Sequence, residues 1–348
     1  MSAPHAVIIA GGRGTRFWPR SRAHLPKQCL SLDGGRTLIQ RTVDRIAPLV
    51  PPENVWVITG QSMADTIRAQ LPAVPTANVL VEPIGRNTAP CVAWGTRVVQ
   101  QQAGDDAVVF VLPADHVIAD EPGFRDCLER AAEAARESGA LVTLGIRPTR
   151  PDTGFGYLEV GSGDAVCPVQ RFVEKPDAET AKGYLASGRY LWNAGMFVFT
   201  VASMVAELKR QLPQLWRGVV AIVDDPDLLA ERFARLQKIS VDYGVMEGAH
   251  AVLTVPADIG WSDVGSWAAV AEHLPETPLG PGLVGRAIAV DACDNVVHAP
   301  EKLVALVGVS GLVVVDSGDA LLVCPRDQAQ RVREVVDQLE AGGLEAWL

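Results

Sequence analysis

Five short runs built almost wholly of Val, Ile, Leu and Ala, at residues 6–10, 55–59, 79–81, 107–112 and 141–146, recur through the first 146 residues of the chain. A strand that is apolar on both faces has to be covered on both faces, which is the condition of a parallel sheet between helices. Segments of helical period fill the gaps. Residues 37–49 place Ile39, Val43 and Ile46 on one face, residues 88–101 group Val92, Gly95 or Thr96, and Val99, and residues 122–138 group Leu128, Ala131 and Ala135. Alternating strands and helices predict an α/β fold, a Rossmann-like doubly wound sheet with right-handed crossovers. Ligands in such sheets sit beyond the carboxyl ends of the strands.

After Arg147 the rhythm changes. Strands are expected at 157–160, 169–173, 196–200 and 251–255, with a helix at 177–187 that Asp177 caps and Gly188 ends. This half reads as a substrate-facing insertion on the same core, so the sheet is expected to be mixed. A Pro/Gly-rich stretch at 275–285 reads as a linker. Beyond it, β-like runs at 287–290, 295–298, 303–307, 312–316 and 320–323 precede a helix at 327–339. The expected organisation is a catalytic domain over 1–275 and a small β-rich C-terminal domain with a terminal helix over 286–348.

The chain has 348 residues and a formal net charge of −10, which argues against nucleic acid as a partner. Its cations are concentrated, however. Residues 1–32 contain no Asp or Glu and carry Arg13, Arg16, Arg20, Arg22 and Lys27, a pattern suited to a small anionic ligand. The six cysteines form no C-x-x-C pair and are expected to be buried thiols in a reducing compartment. No signal-like or membrane-spanning run is present in the sequence, and the expected location is the cytoplasm.

The first apolar run ends in Gly11-Gly12-Arg13-Gly14-Thr15-Arg16. Glycines straight after a buried strand form a tight turn, and their exposed N–H groups can cradle phosphate oxygens. The spacing matches neither the dinucleotide fingerprint, because Phe17 stands where a third glycine belongs, nor a Walker A loop, because no lysine follows a glycine. Asp115, in Leu112-Pro-Ala-Asp-His116, ends another buried run. Asp263 lies in Trp261-Ser-Asp-Val-Gly265. Each alone reads as a turn residue. Together with a cationic glycine loop, they are what a magnesium–triphosphate site needs. Thr88 offers a helix N-cap, while Asn87 and Glu82 offer donors and acceptors for a base edge or a ribose. Glu174 and Lys175 make either a surface ion pair or a carboxylate for sugar hydroxyls beside a cation for a phosphate. Asn193 and the backbone of Gly156-Tyr157 offer further polar contacts.

These strings resemble the sugar-nucleotidyltransferase family, and within it the mannose-1-phosphate guanylyltransferase branch. The carrying segments are Gly11–Arg16 with Pro26-Lys-Gln28, Glu82-Pro-Ile-Gly-Arg-Asn-Thr-Ala89, and Leu112–His116. Phe172-Val-Glu-Lys-Pro176, Trp192-Asn-Ala-Gly-Met196, Val241-Asp-Tyr-Gly-Val-Met-Glu247 and Trp261–Gly265 complete the set. The resemblance covers residues 6 to about 270, and many relatives carry Phe where this chain has Cys29. It implies a nucleotidyltransferase core like that of the A-type glycosyltransferases. It also implies that Gly11, Gly12 and Gly14 wrap a triphosphate on which Arg16 and Lys27 act as the catalytic cations. Glu82, Arg86, Asn87 and Thr88 would bind guanosine. Gly156, Tyr157, Glu174, Lys175 and Asn193 would bind the sugar phosphate. Asp115 and Asp263 would hold Mg²⁺. The substrates implied are GTP and mannose 1-phosphate, the product GDP-mannose, and the state a homodimer. The longer bacterial relatives add an isomerase domain for which this chain leaves no room, so isomerase activity is not expected.

The chemistry so implied is in-line attack of a sugar-phosphate oxygen on the α-phosphorus. The nucleophile is already anionic, so positioning, worth up to about 7–11 kcal/mol, and charge stabilisation carry the rate. Other readings of the residues are a relative specific for another sugar 1-phosphate such as heptose 1-phosphate, a silent nucleotide-sugar sensor, or a glycosyltransferase. The last is disfavoured because no Asp-x-Asp follows the right strand.

Overall fold

A computed structural model describes residues 2–163, 165–274, 276–277 and 280–348. Strands β1 (His5–Ala10), β2 (Val55–Gly60), β3 (Val79–Glu82) and β4 (Val108–Pro113) run parallel in the order β3-β2-β1-β4. They alternate with helices α1 (Leu38–Ile46), α2 (Ala64–Gln70) and α3 (Thr88–Ala103). Helix α3 packs on β1 so closely that a Cβ on Gly95 would lie 2.6 Å from Val7 Cγ1. That fit holds the strand whose carboxyl end bears the glycine loop.

The sheet continues into a second half. The ribbon strand β5 (Val117–Ile118) and helix α4 (Glu121–Ser138) lead to β6 (Leu141–Ile146), β7 (Tyr157–Val160) and β8 (Cys167–Val173). Helix α5 (Ala178–Ser187) then precedes β9 (Tyr190–Thr200), and helices α6 (Val201–Gln211), α7 (Pro213–Asp224) and α8 (Leu229–Arg235) precede β10 (Val252–Ala257). The complete order is β3-β2-β1-β4-β9-β6-β10-β8-β7, with β9 antiparallel between β4 and β6, and β7 also paired to β9. One nine-stranded mixed sheet therefore carries both halves.

Several expectations need correction. The cap of α3 is Asn87, whose Oδ1 accepts from Thr88 N at 2.8 Å, and not Thr88. Asp177 does cap α5, accepting from Thr180 N. The run at 196–200 is only the end of the eleven-residue β9, and α6–α8 were not anticipated. Their apolar faces, including Val201, Met204, Val205, Leu208, Leu215, Trp216 and Val219, cover the sheet face formed by Val7, Val109, Val111, Phe197 and Phe199. Four cysteines are buried as expected, but Cys293 is exposed and Cys324 half-buried.

The short strand β11 (Trp261–Ser262) and helix α9 (Trp267–Val270) end this half. Part of the expected linker, residues 275, 278 and 279, lies outside the described residues. Next to it the backbone forms a short ribbon, β12 (Glu276–Thr277) with β13 (Gly280–Pro281).

Beyond it, β14 (Leu283–Val290), β15 (Val296–Val307) and β16 (Leu312–Asp316) are parallel neighbours, and β17 (Leu321–Pro325) is antiparallel to β16. The expected strands at 295–298 and 303–307 are one strand. Links of about five residues cannot return an extended strand to its own start. The chain instead winds as a coil, bending at the register shift between Gly285 and Arg286. Helix α10 (Val332–Ala341) follows a 3₁₀ stretch over Arg326–Arg331, so only part of the expected 327–339 helix is α-helical. The coil and α10 pack on the core, where Val296, Val313, Val315, Val332 and Val336 meet Phe17, Trp18, Val264 and Trp267. Among the described residues no helix is long and apolar enough to cross a membrane.

Candidate active site

The glycine loop leaves β1 with its carbonyls drawn inward. Ala10 O accepts from Gln28 Nε2 at 2.8 Å and Thr59 Oγ1 at 3.1 Å, and Gly14 O accepts from Ser21 Oγ at 2.7 Å. Gly11 and Gly12 are exposed with open space at their Cα atoms. Gly14 has φ of 60°, and a Cβ there would lie 2.4 Å from Lys27 Cβ, so glycine is required for conformation and for close approach.

Lys27 is the hub of the cleft. Its side chain is only 7% exposed, and Nζ donates to Asp115 Oδ2 at 2.8 Å and to Asp263 O at 2.6 Å. Asp115 follows β4, pinned by Ala114 N donating to Ile9 O at 3.1 Å. Asp263 reaches the same place because β11 pairs antiparallel with β5, matching Ser262 to Val117 and Trp261 to Ile118. The next residue, Val264, is fully buried at φ 45°, a conformation a β-branched residue adopts only when its surroundings impose it.

The charges respond to this crowding. Burial pulls the Asp115 carboxyl up, but the Lys27 ammonium, together with His116 and hydrogen bonding, holds the group below the usual carboxylate range. For Asp263 burial prevails, reinforced by Asp115, and its pKa is raised. Burial pushes His116 down to about 4, leaving a neutral ring whose Nδ1 accepts from Trp261 Nε1 at 3.1 Å. The cleft has a volume of about 350 Å³ and is lined by Gly14, Arg16, Lys27, Asp115, Asp263 and Arg333, among others. A second cavity of about 580 Å³ shares Asp263 and is walled by Arg147, Arg150, Phe155, Trp192 and Trp261.

The expected guanosine group lies outside the cleft lining. Glu82 is buried at the end of β3, its Oε1 accepting from Cys91 Sγ at 3.0 Å, and burial raises its pKa. Arg86 donates to Ala234 O, and Thr88 Oγ1 accepts from Val241 N at 2.9 Å. The expected sugar-phosphate residues gather in a separate patch. A Cβ on Gly156 would lie 2.6 Å from Glu174 Oε2 and 3.5 Å from Asn193 Cβ. Glu174 pairs with Lys175 at 3.2 Å, and Lys175 has φ of 47°. Tyr157, contrary to expectation, has nothing to offer a ligand: it is fully buried, its hydroxyl is donated to Asp152 O at 2.9 Å, and its backbone lies in the sheet between Val173 and Trp192.

The model described as "Nucleotidyl transferase" matches residues 5–278. The chain belongs to the nucleotidyl transferase family. A second model, "MannoseP isomerase/GMP-like beta-helix domain", matches residues 285–339, where the coil lies. The xanthan biosynthesis protein XanB of Xanthomonas campestris pv. campestris (strain B100) is 42% identical, over 99% of this chain and 74% of that protein. A mannose-1-phosphate guanylyltransferase of Escherichia coli (strain K12) is 40% identical, over 97% of this chain and 74% of that protein. A crystal structure from Thermus thermophilus, described as a mannose-1-phosphate geranyltransferase, is 40% identical with a TM-score of 0.90, covering 97% of this chain and all of that one.

Two polar residues of this nucleotidyl transferase stand out beyond those expected. Gln28 fixes the glycine loop. Asp242 accepts from Asn193 Nδ2 at 2.9 Å, and burial, with Glu174 adding, pushes its pKa up to about 6. Both lie in strings that carried the resemblance, but nothing in their spacing announces contacts across 18 and 49 residues.

Proposed function

We propose that this nucleotidyl transferase moves GMP from GTP to α-D-mannose 1-phosphate, giving GDP-mannose and pyrophosphate, as a cytoplasmic homodimer with residues 1–275 as catalytic domain and 286–348 as C-terminal domain. The observation that carries the reading is the convergence of the glycine loop, Lys27, Asp115 and Asp263 on one cleft. Similarity to the mannose-1-phosphate guanylyltransferase of Escherichia coli supports the choice of guanylyl donor and mannosyl acceptor. Ile288, Val290, Leu303 and Val307, exposed on the coil, support the homodimer.

Members of this family generally use a divalent metal, and the residues fit one. Asp263 accepts no hydrogen bond at its carboxylate from the described residues, and burial, with the Asp115 charge, disfavours its ionised form in spite of Lys27. Among the described residues no group of three or more His, Cys, Asp or Glu is placed to hold a metal ion; the Asp115 and Asp263 carboxylates would be the protein's share, as suits Mg²⁺ with phosphate oxygens and water. Bound there, Mg²⁺ would neutralise phosphate charge. The chain's own groups do the rest. Backbone N–H groups of Gly11 to Gly14 bind phosphate, Arg16 and Lys27 offset the charge of the two anions, and Glu174, Lys175 and Asn193 orient the sugar phosphate. An oxygen of the acceptor phosphate bonds to the α-phosphorus, and the bond to the β-phosphate breaks with its electron pair leaving on pyrophosphate. Pyrophosphate release measured across nucleoside triphosphates and sugar 1-phosphates tests the reading. A preference for any pair other than GTP with mannose 1-phosphate overturns it.

A further inference from the structure

Helix α10 closes one side of the cleft. Val332 and Val336 are buried against Phe17 and Trp18, and Glu340 Oε1 lies 2.6 Å from Arg13 Nη1 in the glycine loop. Beyond the helix, Trp347 O accepts from Trp18 Nε1 at 2.9 Å. Just before it, Gln330 approaches the Asp263 loop, where a Cβ on Gly265 would lie 3.6 Å from its Nε2. The C-terminal segment is thus fixed to both loops that form the cleft, and from it Arg333 lines the cleft.

The cations near the cleft differ in how far they are committed. Lys27 is held by Asp115 and by Asp263 O, and Arg13 by Glu340. Arg333 makes only a 4.0 Å contact with Asp337 one turn on, and its side chain is 66% exposed. The charged lining is then Arg16, Lys27 and Arg333 against Asp115 and Asp263. Without Arg333 these side-chain charges cancel, and Arg333 is the one that leaves the lining side chains with a net positive charge. Helix α10 also approaches from the glycine-loop side. The second cavity, on the other side of Asp263, touches neither element.

We propose that Arg333 is a substrate-binding residue whose guanidinium takes the terminal phosphates of the nucleoside triphosphate, those that leave as pyrophosphate. The C-terminal segment then completes the site. The inference rests on the nucleotidyl-transfer reading above. In the transfer step Arg333 exchanges no proton; it holds the oxygens on which the electron pair of the broken α–β bond comes to rest.

The test uses the full chain with Arg333→Gln and Arg333→Lys. A charge-assisted hydrogen bond lost from the site corresponds to roughly tenfold to hundredfold in affinity. R333Q is expected to raise KM for the nucleoside triphosphate and Ki for pyrophosphate by that factor. KM for the sugar 1-phosphate and the melting temperature should stay as in the wild type, and R333K should recover part of the loss. A merely structural role for Arg333 would move the melting temperature or both KM values together, and that result overturns the inference. So does an R333Q enzyme with wild-type KM and Ki. Absence of nucleotidyl transfer in the wild type would instead sink the underlying function, and calorimetric binding of magnesium pyrophosphate to wild type and R333Q would still judge Arg333.

Discussion

The Lys27 ammonium stands 2.8 Å from Asp115 Oδ2 and, with only 7% of its side chain exposed, has little solvent to share its charge with. The same Nζ donates to Asp263 O. One buried cation therefore locks together the ends of β4 and β11, far apart in the sequence, before any ligand arrives. Removing it should harm the site in a way that reads out in pH. Lys27 keeps the Asp115 carboxyl low, so Asp115 stays ionised as pH falls and the stability it contributes is lost only below the usual carboxylate range. Lys27→Met should cut turnover at least about hundredfold, in line with loss of a preorganised charge, and move the acid limb of the pH–rate profile upward. An unmoved acid limb would contradict the pairing.

Asp263 behaves in the opposite sense. Its pKa is raised, so its ionised form costs folding free energy at neutral pH, and the cost fades as pH falls through the folded-state value. Asp263→Asn removes that cost. The variant should melt no lower than wild type at about pH 7 without metal, while losing most turnover, as should Asp115→Asn. Magnesium chloride should raise the melting temperature of wild type and not of D263N. Scanning calorimetry with and without the ion decides it.

How much of this was legible beforehand depended on where each contact came from. The parallel half could be read because its strands are continuous apolar runs, most of them buried on both faces, such as Val55–Gly60. Only the end of β9, at 196–200, could be read, because Asn193 and Gly195 interrupt the apolar character of its first half and look like loop. They sit in the strand because Asn193 is satisfied by Thr143 and Asp242. Likewise Pro300-Glu-Lys302 reads as a break, yet β15 runs through it as the coil turns. Asp115 and Asp263 could be nominated as site residues, but a two-residue ribbon between β5 and β11 places them together, and so short a pairing leaves no periodicity to read. Arg333 lay in an ordinary amphipathic helix, whose docking depends on tertiary packing alone.

Gly14 should tolerate no side chain. Its left-handed conformation costs an L-residue about 1–2 kcal/mol, and a Cβ there would also meet Lys27 N at 2.9 Å and Lys27 Cβ at 2.4 Å. Gly14→Ala should therefore displace Lys27 from Asp115. The expected result is a lower melting temperature together with an activity loss approaching that of K27M. Alanine at Gly11, where nothing lies within 4 Å, should leave the melting temperature close to wild type, and the two variants compared by thermal denaturation test the difference.

Asp242 offers a prediction that separates the sugar side from the nucleotide side. It sits with Asn193 and Glu174, and its pKa is pushed up to about 6 by burial and by Glu174. At about pH 8 it is ionised in an environment that disfavours the charge. The folded state is penalised there, and the penalty fades as pH falls from about 6 toward the usual carboxylate range. Asp242→Asn should thus raise the melting temperature more at about pH 8 than at about pH 5, while the amide oxygen still accepts from Asn193. KM for the sugar 1-phosphate should rise and KM for the nucleoside triphosphate should hold. Equal effects on both substrates would remove Asp242 from the sugar side.

Trp267 is where catalytic core and coil depend on each other. Its side chain is 1% exposed, its ring packs on Phe17 at 5.3 Å and on His298 at 5.2 Å, and its Nε1 donates to Trp18 O at 3.1 Å. Trp267→Ala should cost about 3–5 kcal/mol, because the cavity would open between parts of the chain that cannot collapse together without moving the Thr15–Phe17 turn. The same turn carries Arg16, so the loss should not be confined to stability. In chemical denaturation the variant should unfold at lower denaturant, and at temperatures where it remains folded its KM for the nucleoside triphosphate should exceed that of wild type. Trp267→Phe, which keeps a ring against Phe17 but not the hydrogen bond to Trp18 O, should fall between the two. A W267A enzyme with full stability and unchanged KM would show that the coil and the glycine loop are independent.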